Sequence, residues 1–209
     1  MTDRSVIRLA LSGGGGRMPK SGIIIEALKK VIIEKGVKNI TSEAIAKKAG
    51  MAKGTLYLYF KTKEDMISTL VESFLKEGEE LVGSSLRTKG GAIAKLRAFV
   101  EADLSFYEKN HKIFRTLGME NSAMGNLLSK AKKKMILKRY FKIVEAIGRT
   151  VKEGIAENKI EKMPPIEGAV LLMQIIHAYA GMRIHEISKC SIAGNTDKVL
   201  KIFLNGVGV

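Results

Sequence analysis

The sequence predicts an all-α protein, and three observations predict it. Apolar residues recur three and four apart through most of the chain, the spacing of one helix face. Strand patterns are missing from the body of the chain. Lys, Glu, Ala, Leu and Ile dominate, while Pro is held to 3 residues and Trp is absent, a composition that favours helix. At 209 residues, 45% of them hydrophobic, the chain can bury a core in one mid-sized domain or two small ones.

The elements follow in order. Ser12–Gly16 (SGGGG) is a flexible break. The VIRLAL segment before it could extend, but a lone strand is unstable without partners. A first helix begins near Gly22, with Ile24, Ala27, Leu28, Val31 and Ile32 on one face, and Gly36 stops it. Thr41 caps a short second helix, Ser42–Ala49, whose first turn carries Glu43 and which Gly50 ends. A third short helix runs from Lys53 to Tyr59. The two short helices, joined by AGMA, form a helix-turn-helix in which Leu56 and Phe60 pack back onto the neighbouring helices. A fourth begins near Lys63 and continues through Leu75. Long amphipathic segments come next: Ala92–Glu108, the short His111–Leu117, and Asn126–Asn158. Pro164 and Pro165 open a helix from about Ile166 to Lys189. Thr196–Leu204 closes the chain.

Net charge is +15, which is a statement about partners rather than fold. Nucleic acid comes first among them, then an anionic membrane surface or ligand. The charge is concentrated: residues 19–64 carry ten Lys against four Glu, and Ser129–Lys142 carries seven basic residues and no acid. The second run reads as a solvated helix face, or more sharply as a contact for an anionic effector such as an acyl-coenzyme A. The single cysteine, Cys190, leaves no internal disulfide and no Cys-based zinc site, and a reducing cytoplasm fits. No apolar run reaches the ~18 residues of a membrane span. Residues 1–17 lack the apolar length and cleavage site of a signal peptide. His177 and His185 stand eight apart with no acidic cluster beside them, so no metal site is expected. Met119, Met124, Met135, Met173 and Met182 read as gap-filling core.

The run IAKKAGMAKGTLYLYFKTKEDM mixes aromatics with lysines in a way a core helix would not. It resembles the DNA-binding domain of the tetracycline-repressor (TetR) family. The resemblance rests on Thr41, Ile45-Ala46, Ala49-Gly50, Lys53-Gly54-Thr55, Tyr57, Tyr59-Phe60 and Lys63-Glu64, and spans about Ile24 to Leu70. Ala52 stands where the family often has Ser or Thr, and Leu58 where it often has a polar or aromatic residue. The resemblance implies an N-terminal three-helix DNA-binding domain over residues 18–64 and a helical effector-binding and dimerisation domain over 65–209. It implies a homodimeric transcriptional regulator, usually a repressor, released from a palindromic operator by a small molecule. Thr41, Ala52, Lys53, Gly54, Thr55, Tyr57, Tyr59 and Lys63 are the expected DNA contacts. The third helix would enter the major groove, where base edges are distinguishable. Thr55 and Tyr57 would contact phosphate or a thymine methyl, Lys53 a guanine edge or a phosphate, and Thr41, Tyr59 and Lys63 the backbone.

Family layout puts an effector pocket between the Ala92, Asn126 and Ile166 helices, with Phe106, Phe114, Met135, Tyr140, Met173 and His177 as candidates for its wall. The last two helices, Ile166–Lys189 and Thr196–Leu204, would pair with their copies in a dimer. No cofactor, metal or membrane is implied. Residues 1–17 are either a basic arm carrying Arg4, Arg8 and Arg17, or a tag or upstream extension before Met18. The competing reading is an enzyme, a hydrolase or nucleotide-dependent enzyme using the Gly-rich start. GGGGRMPKS is similar to a phosphate loop, but Pro19 replaces its second Gly and cannot donate a hydrogen bond. RLALSGGGGR is similar to the oxyanion loop of patatin-like lipases, but no G-x-S-x-G nucleophile elbow accompanies it.

Overall fold

The computed structural model describes residues 20–118 and 128–207. The readings of residues 1–17, of Met119 and Met124, and of a helix start at Asn126 fall outside them. Among the described residues the protein is all-α. Its helices are α1 (Lys20–Lys35), α2 (Ser42–Ala49), α3 (Lys53–Tyr59), α4 (Lys63–Ser85), α5 (Ala92–Leu117), α6 (Lys130–Ala156), α7 (Pro165–Ile184) and α8 (Thr196–Val207). They divide into two compact units. The first takes residues up to 72 together with 112–130; the second takes 73–111 and 131 onward.

In the first unit, α1 buries Ile24, Ala27, Leu28, Val31 and Ile32, the face read from the sequence, and adds Ile25. It packs against α2. The α2 N-terminus is capped by Thr41, whose Oγ1 accepts from the Ala44 N–H at 3.2 Å. Gly50 ends α2 at φ 65°, ψ 36°, the left-handed conformation that lacks a steric penalty only for glycine. That turn aims the chain back so that α3 packs on α2. A capping box starts α4: Thr62 Oγ1 accepts from the Asp65 N–H at 3.0 Å, and Asp65 Oδ2 accepts from the Thr62 N–H at 3.1 Å.

In the second unit the core is built from Leu96, Phe99, Val100 and Leu104 of α5, Val144, Ile147 and Val151 of α6, Leu172 and Ile176 of α7, and Val199 and Phe203 of α8. The α5 start is held by a carboxylate: Glu157 accepts from the Ala92 N–H at 3.1 and 3.0 Å through its two oxygens. Close by, Gly154 leaves no room for a side chain, since a Cβ there would lie 2.7 Å from Ile160 Cδ1.

Three boundaries differ from the sequence reading. Ala92–Glu108 and His111–Leu117 are one helix, α5, because the polar link between them satisfies itself. Asn110 is buried and its side-chain amide donates to the Phe106 carbonyl at 2.9 Å, while His111 Nδ1 lies 2.6 Å from the Glu108 carbonyl oxygen. α7 stops at Ile184, short of Lys189. The chain turns off there with Glu186 at φ 56°, and the Ser188 N–H donates to the Met182 carbonyl at 3.1 Å, closing the helix end without a glycine. α8 runs on to Val207, beyond Leu204.

Candidate nucleic-acid interface and effector-binding interior

α3 is a seven-residue helix with no side-chain cap at Ala52. A helix this short does not hold itself in water, so its place depends on packing. Leu56 is fully buried and Phe60 nearly so, and they anchor one side. Helical spacing then turns two neighbouring rows outward, Lys53 with Tyr57 and Gly54 with Leu58. Tyr57 is 45% exposed and Leu58 80% exposed. Ala52, Lys53 and Gly54 are exposed as well, while Thr55 and Tyr59 are half-buried. At Gly54 an added Cβ would meet nothing within 4 Å, so the start of α3 is open surface.

The electrostatics of this face are loose. Lys53 pairs with Glu43 of α2, and its Nζ lies 5.8 Å from the Tyr57 ring centroid. The hydrogen bond from Lys53 holds the Glu43 carboxyl below its ordinary range, and that from Glu43 holds the Lys53 ammonium above its own. Both groups are fully exposed, where such a pair is screened and easily exchanged for another anion. Thr41 is exposed at the α2 start, its hydroxyl oxygen engaged as the cap. Lys63 is half-buried and donates to the Lys38 carbonyl at 3.1 Å, which ties the α4 start to the Val37–Asn39 turn. The exposed set offers an ammonium, a phenol and an apolar side chain on one convex face. These are groups that contact phosphate and the thymine methyl. Leu58 was not among the expected contacts, although its position opposite the buried Leu56 is the signal that places it outward.

Of the six residues expected around an effector, five lie in the second unit. Phe114 is buried in the first unit, so it is not grouped with the others. Met173 is buried in the second core, Tyr140 packs against that core, and Met135 is 40% exposed. Phe106 and His177 join an aromatic ladder across α4, α5 and α7. Phe74 meets Phe106 edge-on at 6.1 Å, Phe106 meets Tyr107 at 5.5 Å, and Tyr107 meets His177 at 5.5 Å. Burial keeps the His177 imidazole below its ordinary pKa, hence neutral near pH 7.

Asp103, one helical turn before Tyr107, is the residue that sequence reasoning missed. Burial pushes its carboxyl up to about 7, and its charge helps to raise Tyr107 and Tyr140, both already raised by burial. Protein surrounds this carboxyl almost completely, yet the residue keeps accessible surface. A side chain walled in on nearly all sides but still reachable faces an internal space. Among the described residues no hydrogen-bond donor reaches it.

Charge pairs brace the walls around this interior. Arg139 of α6 makes a two-pronged bond to Glu79 of α4, at 2.8 and 2.7 Å. Burial pushes the Glu108 carboxyl up, but bonds from the Ile192 N–H at 3.0 Å and from Arg183 at 3.1 Å outweigh it and hold the carboxyl low. Among the described residues no three His, Cys, Asp or Glu side chains are placed to hold a metal ion.

Asp103 makes stability depend on pH with a definite sign. Unfolded, the carboxyl ionises near 3.8; folded, it keeps its proton to about 7. Between these values the folded state binds more protons, so stability falls as pH rises. The loss is at most about 4 kcal/mol. Asp103→Asn removes it, so urea unfolding should show the variant gaining on the parent from about pH 4 to about pH 7. A stability difference that stays constant across that range would contradict the burial.

The family profile for bacterial regulatory proteins of the tetR family matches residues 24–70, which include all of α2 and α3. The fatty acid metabolism regulator protein of Bacillus subtilis is 28% identical over 192 residues, 91% of this chain and 97% of that protein. Two solved structures align along most of the chain. The transcriptional regulator FadR of Bacillus subtilis, in complex with stearoyl-CoA, superposes with a TM-score of 0.73 at 26% identity, over 88% of this chain and 97% of that one. The fatty acid degradation regulator FadR of Bacillus halodurans superposes with a TM-score of 0.74 at 23% identity, over 92% and 98%. The chain belongs to the tetR family of bacterial regulatory proteins and is a DNA-binding transcriptional regulator.

Proposed function

We propose that the protein is a homodimeric repressor that holds a palindromic operator through α2 and α3 and releases it when a long-chain acyl thioester of coenzyme A occupies the second unit. The observation that carries the reading is the outward face of α3, where Lys53, Gly54, Tyr57 and Leu58 lie side by side and exposed. In this reading Lys53 exchanges Glu43 for a phosphate or a guanine edge, and Tyr57 and Leu58 meet base edges in the major groove. Thr41, Thr55, Tyr59 and Lys63 fix the register on the backbone.

Dimerisation is supported by α7. Ile166, Val170 and Met182 are exposed apolar side chains on one row, with the exposed Ala178 between them, and Leu171 and Ile202 of α8 are exposed as well. An apolar row of this kind is covered by another surface in a working protein. A second copy of α7 and α8 covers it symmetrically and gives two reading heads, hence a palindrome. The acyl-coenzyme A class is supported by the Bacillus subtilis relative bound to stearoyl-CoA and by the basic start of α6, where Lys130, Lys133, Lys134, Lys138 and Lys142 are exposed. No step of catalysis enters this reading.

The purified protein should bind duplex from upstream of its own gene about a thousandfold more tightly than random duplex. Lys53→Ala with Tyr57→Ala should remove most of that preference, and palmitoyl-CoA should release the parent from the site. Equal binding to every duplex, with a steep salt slope and no effect of the double variant, would mean charge alone drives it. Sedimentation tests the dimer separately: the parent should run as a dimer and Val170→Glu as a monomer. A parent that runs as a monomer at micromolar concentration would overturn the α7 interface.

A further inference from the structure

The buried carboxyl of Asp103 has no role in the fold that its neighbours disclose. It lies on α5 among apolar residues: Leu104 beside it is fully buried, as are Phe99 and Val100 one turn earlier. A carboxyl placed there costs stability unless something satisfies it. Its charge is felt by two phenols, Tyr107 on its own helix and Tyr140 on α6. The Tyr107 ring in turn stacks edge-on against His177 of α7. Three helices therefore place a carboxyl, two phenols and a neutral imidazole in one otherwise apolar interior. Among the described residues no donor reaches the carboxyl, and the residue keeps accessible surface.

We propose that Asp103 is an effector-recognition subsite: it accepts a hydrogen bond from an N–H or O–H group of the ligand, and it turns away ligands that bring a free carboxylate to the same place. The inference rests on the reading that the second unit holds the effector, and it adds which polar chemistry that effector shows to the interior. Two carboxylates brought together in a poorly solvated space repel, and one must take up a proton. An amide or hydroxyl meets no such barrier and fills the empty acceptor. A thioester of coenzyme A satisfies both conditions. Its acyl end has no charge, and its pantetheine arm carries amide N–H groups. A free fatty acid satisfies neither. Tyr107 and Tyr140 flank the carboxyl with hydroxyls that can serve the ligand's carbonyl oxygen. The subsite thus reports the activated acyl chain rather than the free acid from which it is made.

The test uses the full-length protein and three probes: dodecanoate, dodecanamide and palmitoyl-CoA, each titrated calorimetrically near pH 8. The parent should bind dodecanamide at least about tenfold more tightly than dodecanoate, a gap of ~1.4 kcal/mol. Asp103→Asn should close that gap by admitting dodecanoate, and Asp103→Leu should weaken dodecanamide as well. Thermal melts of both variants establish that they fold. An amide-over-acid preference that persists in both variants would overturn the subsite, as would a parent that binds the two probes equally or binds neither. Palmitoyl-CoA tests the effector reading on its own. If it fails to bind while the amide preference follows Asp103, the subsite stands and the coenzyme A class falls. If it binds while the preference ignores Asp103, the reverse holds.

Discussion

The burial of Leu56 is the constraint on which the reading surface depends. α3 has seven residues, no side-chain cap and no acidic residue in its first turn, so nothing local keeps it helical. Leu56 and the following Phe60 hold it by their burial, against a first unit that also buries Ile45, Ala46 and the inner face of α1. Everything exposed on α3 is exposed because Leu56 is not. The left-handed Gly50 is the second condition, since it sets the direction in which the chain leaves α2. A buried Leu and Phe fully removed from water supply roughly 1.5–3 kcal/mol each. That outweighs the missing cap, whose worth is about 1 kcal/mol.

The charges divide into two kinds. On the surface, pairs such as Lys53–Glu43 and Lys48–Glu34 are exposed and contribute little to stability. Their looseness suits a surface that has to exchange them for phosphates. In the second unit, Arg139–Glu79 and Arg183–Glu108 are more enclosed and cross-link helices that surround the interior. Asp103 belongs to neither kind. It is a carboxyl without a cation, and the energy that its burial costs is the kind of cost that a binding site bears.

The parts of the fold that could be read in the sequence were those with local causes. Thr41 caps, Gly50 turns, and the row from Ile24 to Ile32 buries, because each follows from residue type and spacing alone. The dense pattern from Ile45 to Glu64 made the helix-turn-helix legible down to its end residues. What could not be read had tertiary causes. Asn110 looked like a break in a helix and is instead buried within α5, bonded to its own helix. α7 looked as if it reached Lys189, because nothing between Ile184 and Lys189 is a glycine or a proline. Asp103 carried no signal at all. In sequence it is one more acid on a charged helix, and only the packing of α5, α6 and α7 shows that it points inward. Phe114 failed as a pocket candidate for a similar reason: periodicity says that a residue is buried, not in which unit.

Gly54 offers the most direct measurement of whether the α3 face meets DNA. Its Cβ position is open, and its backbone is ordinary helix, so Gly54→Ala strains nothing in the protein alone. Helix propensity even favours the change, by up to about 1 kcal/mol. Stability and affinity for the upstream duplex would be measured together on this one variant. The account predicts that urea stability holds or rises while DNA affinity drops about tenfold or more, because the added methyl occupies space that a phosphate or base edge must enter. Affinity unchanged from the parent, with stability held, would show that the face made by Lys53, Gly54 and Tyr57 is not the one that DNA touches.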